Sequence, residues 1–270
     1  MKRSVIAAFI SVFLVSAIVA QTPVSVVKQD LPQAEIDRIV KKFTQNEALF
    51  RQALNVYAFN RYASMSTIGM GGQVTGTFRR DSYLTFSDAG ERFEKVLFAP
   101  ISTVQGLEIT AEDIENLGGI DPFAIEPKVA DQYKITYLGK EKIDELNLYV
   151  FDVAPKIMPD PKKNEGKYFQ GRIWVDDEDL MIVKSKGKAV PEAKQRFATI
   201  ETFRENVDGK YWFPSFSTSD DELVFGNGQA VKMRIRVRYK DYRVGRTDVK
   251  ILDDEPAEAT PTPTPVKKPV

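Results

Sequence analysis

The chain has no cysteine and no histidine among its 270 residues. Without cysteine there is no disulfide framework, iron–sulfur cluster, thiol nucleophile or thiolate zinc site. Without histidine there is no Ser-His-Asp triad, no HExxH zinc site and no imidazole base. Charge of one sign is also missing: 38 basic residues face 38 acidic ones, so no charge excess advertises nucleic-acid binding. No P-loop and no GxGxxG is present, and Gly71-Gly72 alone makes no phosphate loop. These absences remove the common hydrolase, metalloenzyme and nucleotide-binding routes. An apolar share of 43% with 11% aromatic does supply a sizeable core.

The first residues read as an address. Lys2 and Arg3 precede an apolar run from Val5 to Ala20, broken by Ser11 and Ser16. A basic start, a short apolar stretch and a small exit residue predict a cleaved secretory signal over 1–20. Cleavage after Ala20 fits best, and after Ala17 is the alternative. The run is short for an uncleaved span of roughly 20 residues. The mature domain then covers 21–252, with a net charge of −2 once Lys2 and Arg3 leave (36 basic, 38 acidic). From Asp253 the composition turns to Pro, Thr and Ala, which predicts a disordered tail over 253–270.

Within the domain, Ile36, Ile39, Val40, Phe43, Phe50, Leu54 and Tyr57 recur at helical steps, predicting one amphipathic helix over 32–61. Asp30 and Gln33 are placed for a capping pair. From Tyr62 the period shortens to two. Strands are expected near 62–69, 73–80, 82–88, 91–98, 132–139, 146–154, 168–176, 180–187, 196–207, 211–219 and 230–243. Asp208-Gly209 and Gly226-Asn227-Gly228 mark hairpins. Thr110 opens a short helical insertion that Gly118-Gly119 ends. The fold class is therefore mainly β with some helix (α+β), built on about eleven antiparallel strands. Periodicity leaves three closures open: a filled barrel, a sandwich, or a sheet curled around a hollow covered by helix.

Two features invite a chemical reading. In the last strand Lys232, Arg234, Arg236, Arg238 and Lys240 alternate with Met233, Ile235, Val237 and Tyr239. All five cations then share one face. That face is either a solvated exterior paired with acidic neighbours or a docking face for an anionic surface or partner. The run Asp176–Asp179 lacks the EF-hand spacing and its glycine, and reads as a hairpin turn. Nothing singles out a catalytic carboxylate pair, so no catalytic residue, metal ligand or cofactor site is assigned.

The element order resembles the periplasmic lipoprotein-carrier superfamily of LolA and LolB, specifically the outer-membrane lipoprotein-sorting proteins. The resemblance rests on GTFRRDSYLTFSDAG at 76–90, YKITYLGKEKIDELNLYVFDVAPK at 133–156 and FQGRIWVDDEDLMIVKSKG at 169–187. In the second segment Asp144-Glu145 stands where that family often has Gly. The resemblance implies a single large curved antiparallel sheet forming an unclosed β-barrel, covered by the N-terminal helix and by the insertion at 110–126. It further implies a non-catalytic periplasmic carrier of lipid or lipoprotein acyl chains that meets a membrane-bound partner transiently; the sequence shows no oligomerisation signal, so a monomer is expected. The expected cavity and lid residues are Phe43, Phe50, Leu54, Leu148, Phe151, Trp174, Phe203, Trp212, Met233, Ile235 and Val237. A non-carrying envelope scaffold or sensor on the same fold is the alternative; a carboxylate-dependent hydrolase is the third.

Overall fold

The computed structural model describes residues 26–87, 89–107, 109, 124–160, 167–192 and 196–245. The expected signal, the insertion from Thr110 and the Pro/Thr tail lie outside these residues. One helix, α1 (Gln33–Leu54), precedes three strands: β1 (Tyr57–Ile68), β2 (Val74–Phe86) and β3 (Arg92–Phe98). A single turn, α2 (Pro127–Ala130), then leads to β4 (Tyr133–Ile143), β5 (Leu146–Pro155), β6 (Tyr168–Asp176), β7 (Ile182–Val190), β8 (Ile200–Val207), β9 (Tyr211–Val224) and β10 (Ala230–Val244).

All ten strands belong to one curved antiparallel sheet, in the order β3-β2-β1-β10-β9-β8-β7-β6-β5-β4. Each strand pairs with its chain neighbour except at one place. There the last strand returns to pair with the first, Tyr62 opposite Arg238 and Met65 opposite Ile235. The sheet is unclosed: β3 and β4 are its two edges and do not pair.

Several expectations shift in detail. The helix ends at Leu54 rather than near 61. After Asn55-Val56 the period drops to two, so Tyr57 belongs to β1 and not to the helical stripe. The expected strands 73–80 and 82–88 are one thirteen-residue strand, β2, which makes ten strands among the described residues instead of eleven. The helix N-cap is Pro32 with no side-chain cap bond. Gln33 instead bonds Asp37 at 2.8 Å, so the Asp30–Gln33 pair does not form.

The turns follow their chemistry. Asp208 and Gly209 both have positive φ (56° and 68°), the backbone that a tight two-residue hairpin requires. Asp144, at the β4–β5 hairpin, has φ 52°. Asp tolerates this left-handed region better than most residues, which explains how it stands in a place suited to Gly. Asp176 to Asp179 is the β6–β7 turn: the Asp176 carboxylate accepts from the Glu178 and Asp179 amides, each at 3.2 Å.

Candidate functional site

Strand alternation gives the sheet two unlike faces. One is inner, against α1; the other is outer. On β10 the inner residues Met233, Ile235, Val237 and Tyr239 are buried, whereas Lys232, Arg234, Arg238 and Lys240 are exposed. Register carries the division across the sheet, because directly opposed residues share a face.

The inner face holds two apolar clusters, and α1 spans both. Ile39 and Phe43 lie in the cluster of Phe151, Phe169 and Ile173. Phe50 and Leu54 lie in that of Tyr57, Phe59, Phe213, Met233, Ile235 and Val237. The steps from Ile39 to Phe43 and from Phe50 to Leu54 are four residues, so both pairs fall on one helix face. Aromatic contacts knit the interface: Phe43 to Phe151 at 5.7 Å, Phe50 to Phe213 at 5.9 Å, and Tyr57 edge-on to Phe213 at 4.8 Å. These are the spacings at which ring quadrupoles attract.

Polar clasps pin the helix over this surface. Glu47, fully buried on α1, takes two bonds from Arg204 of β8, at 2.6 and 3.0 Å. The Arg204 guanidinium also lies 4.1 Å from the centre of the Phe50 ring. Asn46 donates to the Asp179 and Leu180 carbonyls at 3.0 and 2.9 Å. Arg51 reaches Glu126, just before α2, at 2.5 Å. Arg92 of β3 donates to the Leu54 carbonyl and, at 2.9 Å, to that of Tyr57. A cation at a helix C-terminus is also favoured by the macrodipole. Tyr57 donates to Asp208 at 2.8 Å. Burial, then that carboxylate, pushes its hydroxyl up to about 12.

The described ends of the long β3–α2 connection border the same face. Val104, Leu107 and Ile109 pack on one cluster and Ile125 is buried in the other. Near the β3 edge the inner face turns polar. Glu94 accepts from Arg61 at 2.8 Å, from Arg80 at 3.0 and 2.8 Å, and from Ser82. The Arg80 bonds hold its carboxyl down at about 2 against the opposing cost of burial.

The expected lining therefore divides. Phe43, Phe50, Leu54, Phe151, Met233, Ile235 and Val237 meet on the inner face. Leu148, Trp174, Phe203 and Trp212 lie on the outer one. Leu148 and Trp174 form a small cluster with Val150 and Val183, with Trp212 against it. Phe203 sits opposite Lys184 and Phe216. The cause is parity: a one-residue step moves a side chain through the sheet, and β6 sends Ile173 inward and Trp174 outward.

A groove of about 1000 Å³ opens on the outer face beside Trp174. It is polar, and most of its cations are paired. Lys184 pairs with Glu201 at 2.7 Å and Arg172 with Asp152 at 2.9 Å. The Trp174 indole donates to Glu141 at 2.7 Å, while the Lys184 ammonium stands 4.6 Å over its ring. Among the described residues no three carboxylates gather to hold a metal. No described helix is long and apolar enough to cross a membrane.

Of the five β10 cations, Arg234 and Arg236 share Asp220, at 2.8 and 2.5 Å. Lys232, Arg238 and Lys240 make no ion pair among the described residues. The Glu47–Arg204 and Arg51–Glu126 clasps were not foreseen. Glu47 and Arg204 lie on different elements far apart in the chain, so neither carries a sequence signal of its own.

No family model matches the chain, and no curated protein matches it. Among solved structures it is similar to the crystal structure of a DUF1329 family protein from Desulfovibrio piger ATCC 29098. The two are 19% identical over 77% of this chain and 95% of that one, with a TM-score of 0.39. At that score the likeness carries no argument about what this chain does.

Proposed function

We propose that this chain is a non-catalytic periplasmic carrier that binds acyl chains of lipids or lipoproteins between α1 and the inner face of the sheet, in outer-membrane lipoprotein or lipid trafficking. One observation carries the reading. An unclosed sheet presents a long aromatic and aliphatic face, and among the described residues its cover is α1, the single turn α2 and loop segments rather than a second sheet. Such a cover is held by side-chain packing and a few clasps, so it can move as a unit while every strand keeps its ladder. An acyl chain gains about 0.8 kcal/mol for each methylene taken from water, so a dozen methylenes supply about 10 kcal/mol. Breaking a buried ion pair costs about 3–5 kcal/mol. The ligand's gain is of the size needed to exchange helix contacts for lipid contacts.

A second reading, an envelope scaffold or sensor that carries nothing, draws on the packing of that interface. Phe43, Phe151 and Phe213 are fully buried by the protein's own side chains. Native mass spectrometry of the protein purified from its envelope, followed by solvent extraction, separates the two. The carrier reading predicts a bound mass that extraction identifies as lipid, or uptake of an added acyl probe. A bare mass with no probe uptake favours the scaffold and retires the carrier.

A further inference from the structure

We infer that the outer face of the β3-β2-β1-β10-β9 region, together with the free edge beside β3, is a docking surface for an anionic lipid bilayer. The inference does not depend on whether the inner face carries lipid.

Charge is the first observation. The whole chain is neutral, yet its charges are segregated. The register puts the five β10 cations on one face with Arg79, Arg243 and Lys95, eight in all. The carboxylates on that face are Asp81, Asp220, Glu222 and Asp241, a set of four. Eight cations against four anions leave an excess of four positive charges. Pairing uses up part of the set: Arg79 bonds Asp81 at 2.6 Å, and Arg234 and Arg236 share Asp220. The cations without an ion pair among the described residues are Lys95, Lys232, Arg238, Lys240 and Arg243, the last of which donates to the Tyr83 hydroxyl. Alternate residues on a strand are about 6.8 Å apart and neighbouring strands about 4.8 Å apart. The five β10 cations therefore span about 27 Å, and the band from β2 to β9 is about 14 Å wide. Hydroxyl-bearing Tyr62, Ser64, Ser66 and Thr218 fill the spaces between. This is an extended field of one sign, unlike the closed ion pairs around Trp174.

Apolar exposure is the second, independent observation. Leu97 and Phe98 at the end of β3 are 52% and 50% exposed, Ile101 is 94% exposed, and Met70 at the β1–β2 turn is fully exposed. They border the charged band. Phe98 lies under the Arg79 guanidinium at 5.1 Å. Just beyond Ile101, Thr103 bonds the Thr77 carbonyl at 2.9 Å. Met70 follows Ile68, which stands opposite Lys232. Large side chains this exposed on a sheet edge are normally blunted by charge or covered. A bilayer with anionic headgroups satisfies both halves: phosphates meet the cations, and the apolar rim enters the headgroup boundary. An acidic protein meets only the first half, and a second copy of this basic face meets neither.

The test uses the full-length gene product, purified from the expressing cells, in sedimentation with vesicles. One set is phosphatidylcholine alone; the other is phosphatidylcholine mixed with phosphatidylglycerol. The expected result is binding to the mixed vesicles at low salt, weak binding to the neutral ones, and loss of most of the difference at high salt. Removing one interfacial cation lowers the partition coefficient about fivefold. Arg238→Ser with Lys240→Ser, both exposed, then lowers it about 25-fold with thermal stability unchanged. Leu97→Ser with Ile101→Ser removes the salt-resistant remainder. Three results overturn the inference: no preference for anionic vesicles at low salt, a preference that survives the Arg238/Lys240 change, or rim variants that alter oligomeric state and leave vesicle binding intact.

Discussion

The two faces of the sheet are made by the same strands and obey different rules. On β10, Met233, Ile235, Val237 and Tyr239 vanish beneath the helix side while the cations between them stay in water. Ion pairs occur on both faces, and their settings differ. Glu47 and Arg204 meet with side chains 1% and 10% exposed; Arg234 and Asp220 meet at about half exposure. Water screens the second pair and not the first. An inner-face charge is a commitment of the fold, whereas an outer-face charge is available to a partner.

That contrast is sharpest where neighbours in sequence part company. Phe213 is fully buried among Phe50, Tyr57 and Tyr242, and Trp212, one residue earlier, is half-buried outside with its indole on Asp179 at 2.7 Å. Phe213→Ala is expected to cost about 4 kcal/mol through the cavity it leaves. Trp212→Ala, despite deleting the larger side chain, is expected to cost less than half of that. Urea unfolding of the two variants checks it, and equal losses break the division into faces.

Charge removal gives the next largest effect. Glu47→Gln leaves Arg204 buried without a counter-charge and is expected to cost about 3 kcal/mol. Asp220→Asn on the outer face is expected to cost under about 1 kcal/mol, and less at high salt. Thermal melts of both at two ionic strengths compare them directly.

The smallest effect is in acid. Glu94 is depressed to about 2 from an ordinary value of 4.5. A depressed carboxyl stabilises the fold above its unfolded value, and that share is lost as pH falls from about 4.5 towards 2. Glu94 is partly exposed, and solvent screening reduces that share to under about 1 kcal/mol. Glu94→Gln is expected to be less stable at neutral pH and to lose less on acidification. An acid limb of the same slope in the variant places the loss on other carboxylates.

The strands, the Asp208-Gly209 hairpin and the helix stripe were legible because each is a local period or a turn residue with its own backbone requirement. The face each strand presents was legible on β10, where charge and apolar residues alternate cleanly. It was not legible on β6, where Ile173, Trp174 and Val175 are consecutive large apolar residues and parity has no mark. Hence Trp174 and Leu148 were grouped with residues that lie across the sheet from them. The clasps were hidden for another reason. Glu47 and Arg204 are 157 positions apart, and nothing local distinguishes them from the solvated acids and bases around them.

The central claim is that acyl chains bind under α1. A photoactivatable fatty acid, crosslinked to the loaded protein and mapped by peptide mass spectrometry, tests it directly. The account predicts adducts on Phe50, Leu54, Phe213, Met233 and Ile235. Adducts confined to Trp174, Phe203 and Trp212 would contradict it.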